Sequence, residues 1–132
     1  MDIIADTNIF LAVALNEPEK EIIIEKTENT NIISPDILPY EIGNALSAML
    51  KRHQLTKEEI LPTIEATKNI PVRLISVDIQ EALKIAIEFN IYAYDAYFLQ
   101  CAKATSNPLC TLDKRMGVVA RELRIPLIGV QA

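Results

Sequence analysis

Two patterns of apolar residues trade places along the whole chain: short continuous runs, and stretches in which apolar positions recur every three or four residues. Ile3-Ile4-Ala5 ends abruptly at Asp6 and reads as a strand over residues 2–5. Ile9, Phe10, Leu11 and Val13 continue as a short helix over 7–15. Glu17-Pro18-Glu19 opens a second helix to about Thr27, since proline is accepted in a first turn and acids are favoured at the positive end. After a turn at Asn29-Thr30-Asn31, Ile32-Ile33 makes a brief strand that stops at Ser34-Pro35. Ile37, Leu38, Ile42, Leu46, Met49 and Leu50 then set a helical period from Asp36 to about His53, with Pro39 in its first turn.

The second half repeats the alternation. Thr56 with Glu59 is a capping box opening a helix over 57–69, in which Pro62 predicts a kink or a late start. Residues 72–77 are rich in β-branched side chains and read as a third strand. Asp78 with Glu81 is a second capping box, for a helix to about Asn90. A loop at 90–92 leads to an apolar helix over 94–105, broken by Ser106-Asn107-Pro108. Leu109 to Leu112 form a fourth strand ending in Asp113; a helix over 114–123 and a last strand over 126–130 follow. Strands alternating with helices predict an α/β fold of three layers around a mainly parallel sheet, with 1–132 as a single domain.

Half of the residues are hydrophobic and the mean hydropathy is +0.18, which excludes a disordered chain. The apolar excess, above all Ile22-Ile23-Ile24, which cannot all face one core from a helix, predicts a homodimer. No apolar run approaches a membrane span and the N-terminus lacks a secretory signal, so a cytoplasmic protein is expected. Cys101 and Cys110 have no metal-ligand spacing and read as buried free thiols. A net charge of −5 argues against a nonspecific nucleic-acid coat, but is compatible with an enzyme that meets phosphates through cations held on acids.

Most of the 18 acids have ordinary places as caps or on polar helix faces. Asp6, Glu41, Asp95 and Asp113 differ, because each is flanked by apolar residues and falls at a strand end or in a first helical turn. A buried lone carboxylate is costly, so acids in such settings usually have a partner or a metal. In a parallel sheet these positions can share one edge, where four hard oxygen donors suit Mg2+ or Mn2+ better than zinc. Taken singly, Asp6 and Asp113 can be helix N-caps and Asp95 a dipole-favoured first-turn acid; Glu41 has no capping role.

Asp6-Thr7-Asn8 at the first strand, Glu41 and Asn44 in the long helix, Tyr94-Asp95-Ala96 at a late helix and Thr111-x-Asp113 after the next strand stand in an order that resembles a PIN domain. The likeness is to the small single-domain proteins typified by VapC toxins. It implies a metal-dependent ribonuclease on four or five parallel strands, with Asp6, Glu41, Asp95 and Asp113 as metal-binding and catalytic acids. Supporting polar roles fall to Asn8 and Thr111. Water, oriented by one or two Mg2+ or Mn2+ ions, is then the nucleophile, leaving a 5′-phosphate and a 3′-hydroxyl. The resemblance also implies an antitoxin partner.

Lys114 and Arg115, directly after Asp113, are candidates for holding the RNA backbone, or are simply a solvated first turn. Tyr92, Tyr94 and Tyr97 could stack on bases, although the spacing of Tyr94 and Tyr97 favours packing. His53, the only histidine, is expected at a helix end and not in catalysis. Two other classes stay open: a DNA nuclease or phosphatase using the same acids, and a binding module in which the acids are only caps.

Overall fold

The structure, a computed structural model, describes residues 1–130. Five strands alternate with seven helices among them: β1 (Asp2–Ala5), α1 (Thr7–Ala14), α2 (Lys20–Thr27), β2 (Asn31–Pro35), α3 (Leu38–Lys51), α4 (Lys57–Lys68), β3 (Arg73–Ile75), α5 (Ile79–Phe89), α6 (Ala93–Thr105), β4 (Leu109–Cys110), α7 (Lys114–Glu122) and β5 (Leu127–Ile128). All strand pairs are parallel, in the order β3-β2-β1-β4-β5. β1 lies at the centre, with Ile3 opposite Ile32 and Ile4 opposite Leu109.

The chain winds outward from β1 through β2 to β3, then returns to the other side of β1 for β4 and β5. Right-handed crossovers therefore send the first four helices to one face and the last three to the other. The packing agrees: α1 touches α2, α3 and α4, while α6 touches α5 and α7 and lies on β1 and β2. The reversal opens a crevice beyond the carboxyl ends of β1 and β4, where open α/β sheets bind ligands.

Covering on both faces explains why β1 is an uninterrupted apolar run, with Ile3, Ile4 and Ala5 wholly buried. Phe10, Leu38 and Leu46 pack in the helices of one face, Phe98, Leu99 and Ala102 in α6 on the other. Leu99 has no exposed surface, so Leu99→Ala should cost about 2–5 kcal/mol in urea unfolding. Ile24→Ala, at a position 49% exposed, should cost less than about 0.5 kcal/mol.

The elements differ from the sequence expectations chiefly in length. The third strand is three residues where six were expected, because its ladder extends only opposite Ile33 to Pro35. The last strand is reduced to Leu127–Ile128, opposite the two residues of β4. Pro62 neither delays nor ends α4, which starts at Lys57 as its capping box directs, the Thr56 N–H donating to Glu59 Oε1 at 2.9 Å. The three isoleucines of α2 separate: Ile23 is buried, Ile22 packs partly on the core and only Ile24 is largely exposed.

Candidate active site

Asp6 follows directly on β1, its N–H bonded to the Cys110 carbonyl at 3.3 Å. Extended backbone (φ −87°, ψ 174°) puts it at the N-cap position of α1, yet its carboxylate makes no capping bond. Asp78 and Asp113 do cap their helices, Asp78 accepting from the Glu81 N–H and Asp113 from those of Arg115 and Met116. Asp6 is 4% exposed. One carboxylate oxygen, Oδ2, accepts from the Thr111 hydroxyl; the other, Oδ1, is buried with no hydrogen-bond partner. Leaving such an oxygen unsatisfied costs about 1–3 kcal/mol or more, so it is an acceptor with unused capacity.

Thr111 joins two of the acids. Its oxygen accepts from the Asp113 N–H at 3.0 Å while its hydroxyl donates to Asp6, so the ends of β1 and β4 are tied side chain to side chain. The Asp113 carboxylate is held in turn by the first turn of α7, at 2.8 Å from the Arg115 nitrogen and 3.1 Å from that of Met116. Glu41, in the first turn of α3, accepts from the Thr7 hydroxyl at 2.9 Å through Oε2. Asp95 stands in the first turn of α6. All four acids line one cleft of about 200 Å³ together with Thr7, Asn8 and Asn44.

No basic side chain lines that cleft among the described residues, and the carboxylates respond accordingly. Burial pushes the Asp6 carboxyl up to about 7; the Thr111 hydroxyl and, more weakly, the Ile9 N–H oppose the rise, and the charges of Asp113 and Asp95 add to it. Asp95 is also raised, first by burial and then by Asp113 and Glu41. The site therefore holds more negative charge than its own donors offset. Its donor set, all hard oxygen with one buried oxygen free, fits Mg2+ or Mn2+ and offers no soft ligand for zinc. The acids stand as an open set: among the described residues, no group of three acids, histidines or cysteines is gathered closely enough to grip an ion as placed.

Asn8 and Thr111 both lie where their motifs suggest, Asn8 in the cleft and Thr111 beneath Asp6. Lys114 and Arg115 do not line it. Arg115 reaches to the C-terminal end of α5 and donates to the Phe89 carbonyl at 2.7 Å, and Lys114 lines a neighbouring groove. His53 sits past the end of α3 in the left-handed region (φ 59°). Tyr94 and Tyr97 meet edge to face with ring centres 6.0 Å apart, while Tyr92 and Tyr94 stay exposed. Cys101 and Cys110 are buried free thiols, pushed up by burial to about 11 and about 12 and therefore unreactive. Thr7 was missed as a Glu41 partner: its place after Asp6 was visible, but a contact to a residue 34 positions away was not.

Thr111→Val should remove both hydroxyl bonds while keeping the side-chain shape. Asp6 then loses its hydroxyl donor, and the expected loss is about 1–3 kcal/mol in urea unfolding at pH 8. At pH 5, where Asp6 holds a proton, the loss should be smaller.

The family model of the PIN domain matches residues 3–122. No curated protein matches the chain. Among solved structures, the chain is similar to PAE2754 from Pyrobaculum aerophilum, with a TM-score of 0.71 at 18% identity over 97% of this chain and 84% of that one. It is also similar to VapBC2 from Rickettsia felis bound to a DNA fragment from its promoter, with a TM-score of 0.64 at 16% identity over 96% of this chain and 97% of that one. At such identities the structures speak for the fold, which they share with the five-stranded parallel sheet described above. The family match over nearly the whole chain goes further: this chain belongs to the PIN domain family.

Proposed function

We propose that the chain is a divalent-metal-dependent endoribonuclease, the toxin of a toxin–antitoxin pair. The observation that carries this reading is the buried, unpartnered Oδ1 of Asp6 in a cleft lined by three further acids and, among the described residues, no base. An acid serving only as a cap would bond its helix, as Asp78 and Asp113 do. PIN domains are, as a family, nucleases.

Asp6, Glu41, Asp95 and Asp113 would hold Mg2+ or Mn2+, which when bound supplies positive charge for the phosphate and acidifies water. The protein's own contribution is positional. Thr111 orients Asp6, the α7 amides orient Asp113 and the Thr7 hydroxyl orients Glu41. Asn8 and Asn44 supply neutral donors at the cleft wall and can hold phosphate oxygens without adding charge. Among the described residues no histidine or lysine lines the cleft, so hydrolysis by water is favoured over attack by a neighbouring 2′-hydroxyl, which needs a base and an acid.

The reading extends to partners. The VapBC2 likeness supports an antitoxin. An apolar groove of about 170 Å³ lined by Phe10, Leu38, Ile42, Ile64, Val72 and Leu74 suits the apolar face of a partner helix. A homodimer is supported by Ile79, Leu83 and Ile87, exposed at four-residue spacing along α5, with Ile87 at 81%; α2 carries no such stripe. Light scattering should show a dimer burying upwards of about 1,000 Å², and Ile87→Glu should return it to monomer. Among the described residues no helix is long and apolar enough to cross a membrane, and action on RNA in the cytoplasm is part of the proposal.

The deciding experiment incubates purified protein with a mixed RNA pool, single-stranded DNA and a nucleotide monoester, each with and without Mg2+ or Mn2+, and maps the cut ends. Metal-dependent RNA cuts leaving 5′-phosphates are expected. Cleavage of DNA or of the monoester alone would make it the other kind of phosphoesterase. No turnover of any substrate would favour the binding-module reading.

A further inference from the structure

Beside the acid cleft lies a larger groove of about 570 Å³ between α7 and β5. The two adjoin at Asp113, which lines both. Lys114 and Arg121 stand along the groove seven residues apart on α7, about 10 Å by helical rise. Val118, 45% exposed, together with Leu127 and Ile128, makes an apolar wall. A second hollow of about 360 Å³ shares Arg121 and Leu127 and adds Arg124. The basic strip Lys114, Arg121, Arg124 thus leads directly away from Asp113.

These cations are uncommitted. The ion pairs among the described residues are Lys68–Glu65, Arg73–Asp2 and Lys84–Glu81, and none involves the strip. Arg115, the nearest other base, is bound to the Phe89 carbonyl. A chain of net charge −5 repels a polyanion in bulk, so any RNA affinity must come from a local concentration of cations. Cations beside an apolar wall can take a single strand, with phosphates on the charges and the apolar face of a base in van der Waals contact with the aliphatic side chains.

We propose that the groove between α7 and β5 is the track for single-stranded RNA leaving the acid cleft, with Lys114 and Arg121 on its phosphates and Val118, Leu127 and Ile128 under a base. The proposal rests on the ribonuclease reading and adds where the strand runs. Specificity for nucleotides flanking the cut would then be set by the wall, and tightness by the strip.

Two variants test it by different routes. Arg121→Glu reverses a charge without touching the acid cleft. Gly129→Leu fills the groove from just past β5, at a position with no positive φ where an added Cβ meets nothing within 4 Å. Arg73→Ala, on the edge strand β3, serves as the control cation. The substrate is a fluorescent oligoribonucleotide of about twelve nucleotides, with its Kd and KM followed over a range of salt. Arg121→Glu should raise both roughly tenfold with kcat little changed, and lower the log Kd against log salt slope by about one or more. Gly129→Leu should raise both with the slope kept, and Arg73→Ala should behave as wild type. If the wild type cuts this RNA and both groove variants match it in KM and salt slope, the track is wrong and the ribonuclease reading stands. A groove that instead serves an acidic protein segment would give the same result. If the wild type neither binds nor cuts RNA, both fall together.

Discussion

Asp6→Asn should abolish RNA cleavage, by on the order of a thousandfold, as expected when a group stabilising transition-state charge is removed, and should also make the metal-free protein more stable above pH 7. Stabilisation follows from the sign of the Asp6 shift. Its carboxyl rises from 3.8 to about 7 on folding. Between those values the folded protein holds a proton that the unfolded chain releases, so stability falls as pH rises through the window. The penalty is absent below about 4 and complete above about 7. At 1.36 kcal/mol per pKa unit it is at most on the order of 4 kcal/mol.

Asparagine keeps the shape and loses the charge, but its buried amide lacks an acceptor and recovers only part of that. A net gain of about 1–3 kcal/mol at pH 8 and none or a small loss at pH 4 is expected in urea unfolding. The variant should also show a flatter pH profile than wild type. An Asp6→Asn protein strongly destabilised at pH 8 would mean that Asp6 is a structural group, and the active-site assignment would lose its anchor.

The second large effect concerns the ion. On the proposed function, Mg2+ or Mn2+ would be held by these acids in the folded state only, so the wild-type melting temperature should climb with metal concentration. At a hundredfold excess over Kd the gain is about 2.7 kcal/mol, roughly 10 °C for a chain of this size. Since the ion needs ionised carboxylates, it competes with protons; the gain should be large at pH 8 and fade below pH 6. Asp6→Asn lacks a ligand, so its stabilisation and that from metal should not add. A wild-type melt indifferent to both ions at pH 8 would remove the metal from the proposal while leaving the cleft as described.

Parts of this protein were legible residue by residue. The apolar runs at Ile3-Ile4-Ala5 and Leu109-Cys110 are buried strands, and the periodic stretches are helices, because burial on two faces or on one stripe leaves its period in the chain. Strand lengths were less legible. How far β3 and β5 extend depends on the ladder their neighbours offer, and that partner is remote in sequence. The same holds for α2, where three isoleucines look alike until the fold buries Ile23 and leaves Ile24 outside.

The acids divide along the same line. That Asp6, Glu41, Asp95 and Asp113 are unusual was visible from their apolar flanks and their places at element ends, which are local properties. Local chemistry could not separate Asp6 from Asp113, since both precede a helix and either could cap it. The tertiary structure decided it: Asp113 bonds the first turn of α7, while Asp6 accepts from Thr111, 105 residues away just past β4, and keeps one oxygen bare. It likewise turned Arg115 aside to Phe89 and set Lys114 and Arg121 along one groove. By itself the sequence determined which residues are apolar, which are acids and which elements they begin, because those follow from solvation and backbone preference near each residue. Which acids share a cleft, which carboxylate keeps an oxygen bare and which bases remain free depended on the reversal of winding at β1 and β4, a long-range packing outcome that no local stretch encodes.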